Sequence, residues 1–467
     1  MAGEKWEDFW HHRPSGQFIF LPSRELWPRA SVDAALPRVP VVDASGKPII
    51  NKKTGEPKTV GASVKIARGR AVQQMTWAPG EPIIIADRLI AEGGWIARKD
   101  MKCCNLYRPP PQLTGGNPKK AKPWLDHIHK VYPDDVEHIT TWCAHRVQRP
   151  HEKINHALVL GGAQGIGKDT LLEPVKIAIG HWNFQEIGPT QLLGRFNGFL
   201  KRVILRVNEA RDLGEVNRYA FYDHMKPIIA SPPGVLRVDE KNLHEYNIIN
   251  VVGIVVTTNH RDGVYLPPDD RRHYVAWSEL EKEAFPPDYW PKLYHWYENE
   301  HGYAHVGAYL GKLDLSNFDA KAPPPKTEAW HAMVNVNRAP EEAELADVLD
   351  RLGNPGATTL NEIIDEAPAF SDFHKWLEDR KNRRAIPHRL EAVGYIPFRN
   401  PHTKDGHWEV GGVRCVVYVD KRLIPEDAFK AVAALHRRVD AKTAGRQQKA
   451  AEKAANKGKN RSRGVRF

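Results

Sequence analysis

The chain is predicted to be α/β, built on a parallel sheet buried on both faces, and three observations carry that prediction. A short apolar strand at Ala157–Leu160 runs into a glycine-rich loop and then a helix. Two further apolar runs, Val203–Val207 and Val251–Thr257, follow at intervals that leave room for helices between them. Continuous apolar strands, as opposed to alternating ones, belong to sheets covered on both sides.

Composition narrows the class. A chain of 467 residues suffices for two to four domains. Hydrophobic residues make up 41% and charged ones 27%, which fits a globular chain and not a disordered one. The longest apolar run lies near Ile248–Val256, far short of the roughly 18–20 residues of a membrane span, so no membrane association is expected. The opening MAGEKWEDFW lacks the basic-then-apolar order of a secretion signal. Cys103, Cys104, Cys143 and Cys415 form no CxxC pair, so neither a disulfide framework nor a cysteine zinc site is expected, and a reducing cytoplasm fits. His11/His12 and His127/His129 lack partners at metal-ligand spacing. The net charge of +11 is concentrated at one end. Residues 437–467 hold eleven Lys/Arg and two acids, a net of +9, which leaves +2 for the rest.

In chain order, residues 1–123 form a small irregular α+β region and linker, dense in Pro, Gly and Lys, with β-like runs at 17–22 and 81–90 and turn signals such as SGKP and TGEP. Residues 124–155 turn helical. Trp124, Ile128 and Val131 recur at helical spacing, and Pro133-Asp134-Asp135 opens a second helix with Val136, Ile139, Trp142 and Val147 on its apolar face. Residues 156–310 carry the strands and loops of the chemistry. Pro323-Pro324-Pro325 marks a boundary. Residues 325–430 then alternate helices with a hairpin at Trp408–Val410 and Val413–Val419, which suits a winged-helix-like module. Residues 437–467 read as a basic tail, disordered or marginally helical.

The glycine-rich segment is GGAQGIGKDT. From Gly162 it has the P-loop spacing, between a strand and a helix as the mechanism demands. Gly162, Gly165 and Gly167 let backbone N–H groups turn inward around phosphates. The following helix points its positive end at the same anion, and Lys168 reaches the β- and γ-phosphates of ATP. One departure is visible: Asp169 stands where Ser or Thr is usual, and the hydroxyl comes one place later at Thr170. Thr170 serves Mg²⁺, directly or through water, while Asp169 either joins the metal shell or caps the helix.

A P-loop ATPase also needs a carboxylate at the end of a neighbouring apolar strand. VILRVNEAR supplies one at Glu209, the candidate general base. The residue before it is Asn208, where the common pattern has Asp; an amide can hold a magnesium-bound water but adds no charge. The third strand ends in Thr258-Asn259, and an Asn there can hold the attacking water beside the γ-phosphate.

With these residues in place, the chain resembles the superfamily 3 helicases, and more narrowly the helicase part of phage primase–helicase proteins, distant relatives of the poxvirus primase–helicase. Those have an AAA+ P-loop core with motifs packed into about a hundred residues. GGAQGIGKDT matches their motif A, NEA their motif B and VVTTNH their motif C, and LPPDDRRHYVAW matches the segment bearing their arginine finger. The resemblance covers residues 124–280 and reaches 1–123 only vaguely. It implies a helical collar at 124–155, an AAA+ core at 156–310, and a β-hairpin lining a ring pore between motifs B and C. GVLRVDEKNLHEYNI sits there, with Arg237, Lys241 and His244 near the presumed tip as DNA contacts. Arg271 or Arg272, on a Pro- and Asp-rich loop, projects a guanidinium at a neighbour's ATP. No primase motif is evident before residue 123, so primase activity is not carried over.

The expectation is an ATP- and Mg²⁺-dependent replicative DNA helicase, working as a homo-hexamer around single-stranded DNA. The resemblance adds a phage or prophage origin, action in bacterial host cytoplasm, and a separate primase or polymerase partner. Two rivals stand beside it: a non-unwinding AAA+ DNA-binding or origin-loading ATPase, and a P-loop phosphotransferase prompted by the kinase-like GKDT.

Overall fold

The computed structural model describes residues 3–208, 214–336, 340–369 and 371–462. It divides into two compact units, Met1–Val334 and Asn335–Phe467.

The first unit is centred on a five-stranded parallel sheet. Two helices precede it, α1 (Lys122–Val131) and α2 (Val136–Gln148). Strand β1 (Ala157–Gly161) leads to α3 (Lys168–Ala178), then β2 (Phe184–Ile187) and β3 (Ile204–Asn208). Helix α4 (Gly214–Ile229) is followed by an antiparallel hairpin, β4 (Val235–Val238) and β5 (Tyr246–Ile249). Strands β6 (Gly253–Thr258) and β7 (His273–Trp277), then α5 (Tyr289–Asn299) and α6 (Gly302–Lys312), complete the core.

The sheet order is β2-β3-β6-β1-β7. Its three central strands carry the apolar runs read from the sequence. Ala157–Leu160, Ile204–Val207 and Ile254–Val256 are all buried, the charged Arg206 included, as a sheet covered on both faces requires. The two edge strands were not anticipated. Phe184–Ile187 buries only its two ends, around the polar Gln185 and Glu186, and His273–Trp277 opens with a polar residue inside the arginine segment. One contiguous apolar core joins the sheet to α1, α2 and α3; Trp124 and Trp142 are fully buried in it.

Before residue 106 the first unit holds, besides a short pairing of Val39–Pro40 with Thr59–Val60, two larger sheets. One orders Glu25–Trp27, Gln17–Phe20, Phe9–His12 and Ala71–Val72; the other joins Gln74–Thr76 with the long hairpin of Ile84–Ala91 and Gly94–Asn105. This region supports the core hairpin. Leu243 and Tyr246 pack against a cluster of Trp10, Ile19, Val72, Met75 and Cys104, and the Thr76 hydroxyl donates to the Asn247 carbonyl at 2.8 Å.

The second unit has its own apolar clusters, one of them built around Leu345, Val348, Ile363 and Leu390. A three-stranded antiparallel sheet orders Ala357–Thr359, Val417–Asp420 and Tyr395–Phe398, with a separate hairpin of Trp408–Val410 and Val413–Cys415. Of the two readings of the C-terminal segment, disordered or marginally helical, the structure has the helical one. One helix spans Pro425–Ser462. Val432 and Leu435 bury its first turns, and the later run of Ala, Lys, Gln and Arg is made of strong helix formers. Among the described residues no helix is long and apolar enough to cross a membrane.

Candidate nucleotide-binding site

The loop after β1 has the conformation its glycines permit. Gly162, Gly165 and Gly167 all have positive φ, at 135°, 85° and 89°. A side chain at Gly162 would meet the Ser278 carbonyl at 2.9 Å, so the backbone must be bare where it turns. Lys168 opens α3 and is 8% exposed; its ammonium donates to the carbonyls of Gly162 at 2.6 Å and Ala163 at 2.8 Å, and to Asn259 Oδ1 at 2.7 Å. The loop lysine and the polar residue after β6, 91 positions apart in sequence, are therefore in direct contact.

Three more residues of the sequence reading face the same cleft. It has a volume of about 540 Å³ and is lined by the loop, Asp169, Thr170, Asn208 and Asn259, together with Arg206, Trp290 and Tyr294. That is the size of a small-ligand site. Its floor is the row of strand ends at Gly161, Asn208 and Thr258, where parallel sheets place their ligands. Thr170 Oγ1 lies 3.0 Å from the Tyr294 hydroxyl, and Asn208 Oδ1 accepts from Thr257 Oγ1 at 2.9 Å. Glu209 falls outside the described residues.

Sequence reasoning missed the residues that brace this loop. His127 of α1 is fully buried, with Nε2 3.1 Å from the Gly167 carbonyl and Nδ1 2.9 Å from the Tyr289 hydroxyl. Burial holds its imidazole below the usual pKa, with the nearby Lys130 adding to the effect against the Gly167 hydrogen bond. The neutral ring then donates from Nε2 and accepts at Nδ1. Trp124 Nε1 donates to the Leu171 carbonyl at 3.0 Å, Tyr132 to that of Gly161 at 3.1 Å and Tyr297 to that of Thr170 at 3.2 Å. The helices before the sheet and after it thus clamp the loop from both sides. The aromatic periodicity of YWPKLYHWY was the one available signal, since Trp290 and Tyr294 lie four apart on a helix face.

Arg271 and Arg272 are not part of this cleft. Strand β7 runs parallel to β1 in the register Ala157↔His273 to Gly161↔Trp277. The arginines therefore enter at the end of the sheet where β1 begins, about 13 Å from the phosphate loop at a rise of about 3.3 Å per residue. The loop is held by Asp270, which is 1% exposed and accepts from the Tyr222 hydroxyl at 2.9 Å and from the backbone N–H groups of Arg272 and His273. Burial alone would raise the Asp270 carboxyl; the His273 charge and these hydrogen bonds outweigh it and bring its pKa to about 2. Arg271 is exposed, and Arg272 Nε has no hydrogen-bond partner among the described residues.

The hairpin residues lie elsewhere again. Arg237 on β4 pairs with Glu245, and Lys241 and His244 are exposed in the turn. The base of the turn is fixed: Asn197 bonds the Arg237 carbonyl at 2.9 Å and the Asp239 N–H at 2.7 Å, and Glu240 takes Lys201 at 2.7 Å.

Comparison with known proteins follows this geometry. The sequence model of DUF5906, a family of unknown function, matches residues 160–272, from the phosphate loop to the second arginine. A search of curated proteins returns no match. Among solved structures, the apo structure of the NrS-1 C terminal region is similar at a TM-score of 0.53 and 16% identity, covering 88% of this chain and 95% of that one. Its A form gives 0.51 and 17%, covering 88% and 96%. A crystal structure of JCV Helicase, bound to a thiazolopyridinyl phenoxyphenyl acetamide, aligns at 0.29 and 11% over 51% of this chain and 67% of that one, too distant to bear on the fold. The chain shares the overall fold of the NrS-1 C terminal region.

Proposed function

We propose that this protein is a nucleoside-triphosphate-driven DNA helicase of the superfamily 3 type, with ATP bound in the cleft over β1, β3 and β6. The observation that carries the reading is the direct contact between Lys168 and Asn259 within a loop of three positive-φ glycines. In the free protein the ammonium is held by loop carbonyls and by the amide. A triphosphate offers it stronger, charged acceptors, so Lys168 transfers to phosphate while Asn259 is freed to orient a water. Trp290 and Tyr294 give the cleft a flat apolar wall for the base or sugar.

The residues present also fit a magnesium ion. Asp169, Thr170 and Asn208 offer oxygen ligands in one cleft, which suits a hard cation. No group of three or more Asp, Glu, His or Cys side chains is arranged for a metal among the described residues, so phosphate oxygens and water would complete the shell. When bound, magnesium would supply positive charge to offset that of the phosphates. Glu209, next to Asn208, is assigned as the general base that takes the proton of the attacking water.

The placement of Arg271 and Arg272 at the far end of the sheet favours a finger supplied in trans. Neither can reach its own chain's loop, whereas a ring would bring that edge to a neighbour's cleft. The turn at 241–244 is assigned to single-stranded DNA within the ring, and the hairpin travels together with the braces at Asn197, Lys201 and Thr76. A homo-hexamer, a separate primase or polymerase, a phage origin and a winged-helix role for the second unit belong to this proposal through the resemblance alone. Strand displacement tests it: ATP-dependent unwinding of a forked duplex supports a helicase. DNA-stimulated hydrolysis without unwinding favours a DNA-loading ATPase, and hydrolysis indifferent to DNA favours the phosphotransferase.

A further inference from the structure

The two departures from the common P-loop pattern are joined by one buried cation. Asp169 stands where a hydroxyl is usual, and Asn208 where a carboxylate is usual. Between them lies Arg206 of β3, whose side chain is 8% exposed. Its guanidinium pairs with Asp169, lies 3.5 Å from Glu186 Oε1, and donates from Nε to Thr257 Oγ1 at 3.2 Å. Thr257 donates on to Asn208 Oδ1 at 2.9 Å, and Asn208 Nδ2 donates to Glu186 Oε2 at 3.3 Å. The ring closes on itself.

That closure explains why position 208 is an amide. Asn208 both accepts from Thr257 and donates to Glu186. A carboxylate there could not donate, and it would face Glu186 as a like charge. The acid missing from the strand end is present instead at the first turn of α3, beside Thr170, on a side chain that is 75% exposed and open to a hydrated cation.

We propose that Asp169 supplies the carboxylate of the magnesium site, in place of the usual strand-end acid, and that Arg206 is a positioning residue that partners this carboxylate until the cation arrives. The inference rests on the nucleotide-site reading. When Asp169 turns to the cation, Arg206 keeps Glu186 and Thr257 as partners, so no buried charge is stranded. Arg206 therefore sets metal affinity by competition for Asp169.

The test is binding of Mn²⁺, followed by electron paramagnetic resonance, to the full chain with a non-hydrolysable ATP analogue. Asp169→Ser should move the Mn²⁺ midpoint up by about 10–100-fold. Asp169→Ser/Asn208→Asp returns the acid to its usual place and should recover most of that loss. Arg206→Gln should move the midpoint down by about tenfold, because a competing unit charge is gone; a purely structural arginine could not tighten the metal. An Asp169→Ser midpoint within twofold of wild type overturns the proposal, as does a double variant no better than the single one in proteins of equal melting temperature. Weaker Mn²⁺ binding by Arg206→Gln overturns the competition. Failure of the underlying reading is distinct: the wild type would then bind no analogue, or Lys168→Ala would bind it equally well.

Discussion

Gly165 and Gly167 share a backbone conformation and differ in their surroundings, which makes a paired substitution informative. Both have φ near +85° to +89°. An alanine in that region costs about 1–2 kcal/mol of backbone strain. At Gly165 the nearest atom to a new Cβ is Lys282 Cβ at 3.4 Å, an ordinary contact, so the strain is the whole penalty. At Gly167 the same Cβ would lie 2.6 Å from His127 Cε1 and 2.6 Å from Trp290 Cη2. Neither ring yields easily. His127 is tied to Tyr289 and to Gly167 itself, and Trp290 packs on Phe285 at 4.9 Å between centroids. Overpacking of this kind adds about 1–3 kcal/mol. Gly167→Ala should therefore lose about 2–5 kcal/mol against about 1–2 kcal/mol for Gly165→Ala. Urea denaturation gives the two values, with fluorescent nucleotide affinity read in parallel. Combining Gly167→Ala with Trp290→Ala should return part of the excess, as a double-mutant cycle measures. Equal penalties for the two glycines, or no coupling to Trp290, would refute the clamped-loop geometry.

Three further outcomes follow from the assigned roles. Glu209→Gln should bind ATP but hydrolyse it about 10²–10⁴-fold more slowly, since only proton transfer is removed; joint loss of binding in filter assays would mark a structural residue. Mixtures of Arg271→Ala/Arg272→Ala subunits with Lys168→Ala subunits should regain hydrolysis, because each supplies what the other lacks at a shared interface. Absence of rescue in co-assembled mixtures argues against a finger in trans. Lys241→Ala should weaken single-stranded DNA affinity and slow strand displacement, and unaltered displacement removes the turn from the mechanism.

The conformation of the glycine-rich loop was legible because its signal is local. Three glycines, a lysine and flanking strand and helix patterns sit within about twenty residues, and each glycine takes the positive φ its position implies. Lys168 was placed in the loop after one strand and Asn259 at the end of another, but their contact at 2.7 Å was not read from the sequence. Arg206, His127, Trp290 and Tyr294 were not. Each is an ordinary residue for its element, and they reach the cleft from three different elements. Arg206 was read as part of an apolar strand; only the placement of Asp169 and Glu186 beside it shows why a buried arginine is tolerated. The edge strands escaped because polar residues interrupt them, Gln185 and Glu186 in one and His273 in the other, so neither shows the continuous apolar run that marked the central three. At the C-terminus, composition left a disordered or a marginally helical tail open, and helix propensity with the anchoring of Val432 and Leu435 gives a helix through Ser462.

The account stands most directly on hydrolysis of ATP by this cleft. The decisive measurement is phosphate release from Mg·ATP, with and without single-stranded DNA, by the wild type and by Lys168→Ala at matched melting temperature. Turnover by the wild type, raised by DNA, is expected, with a loss of at least about 10²-fold in the variant, because the other cation lining the cleft, Arg206, is buried and paired with Asp169. Near wild-type turnover by Lys168→Ala would contradict it.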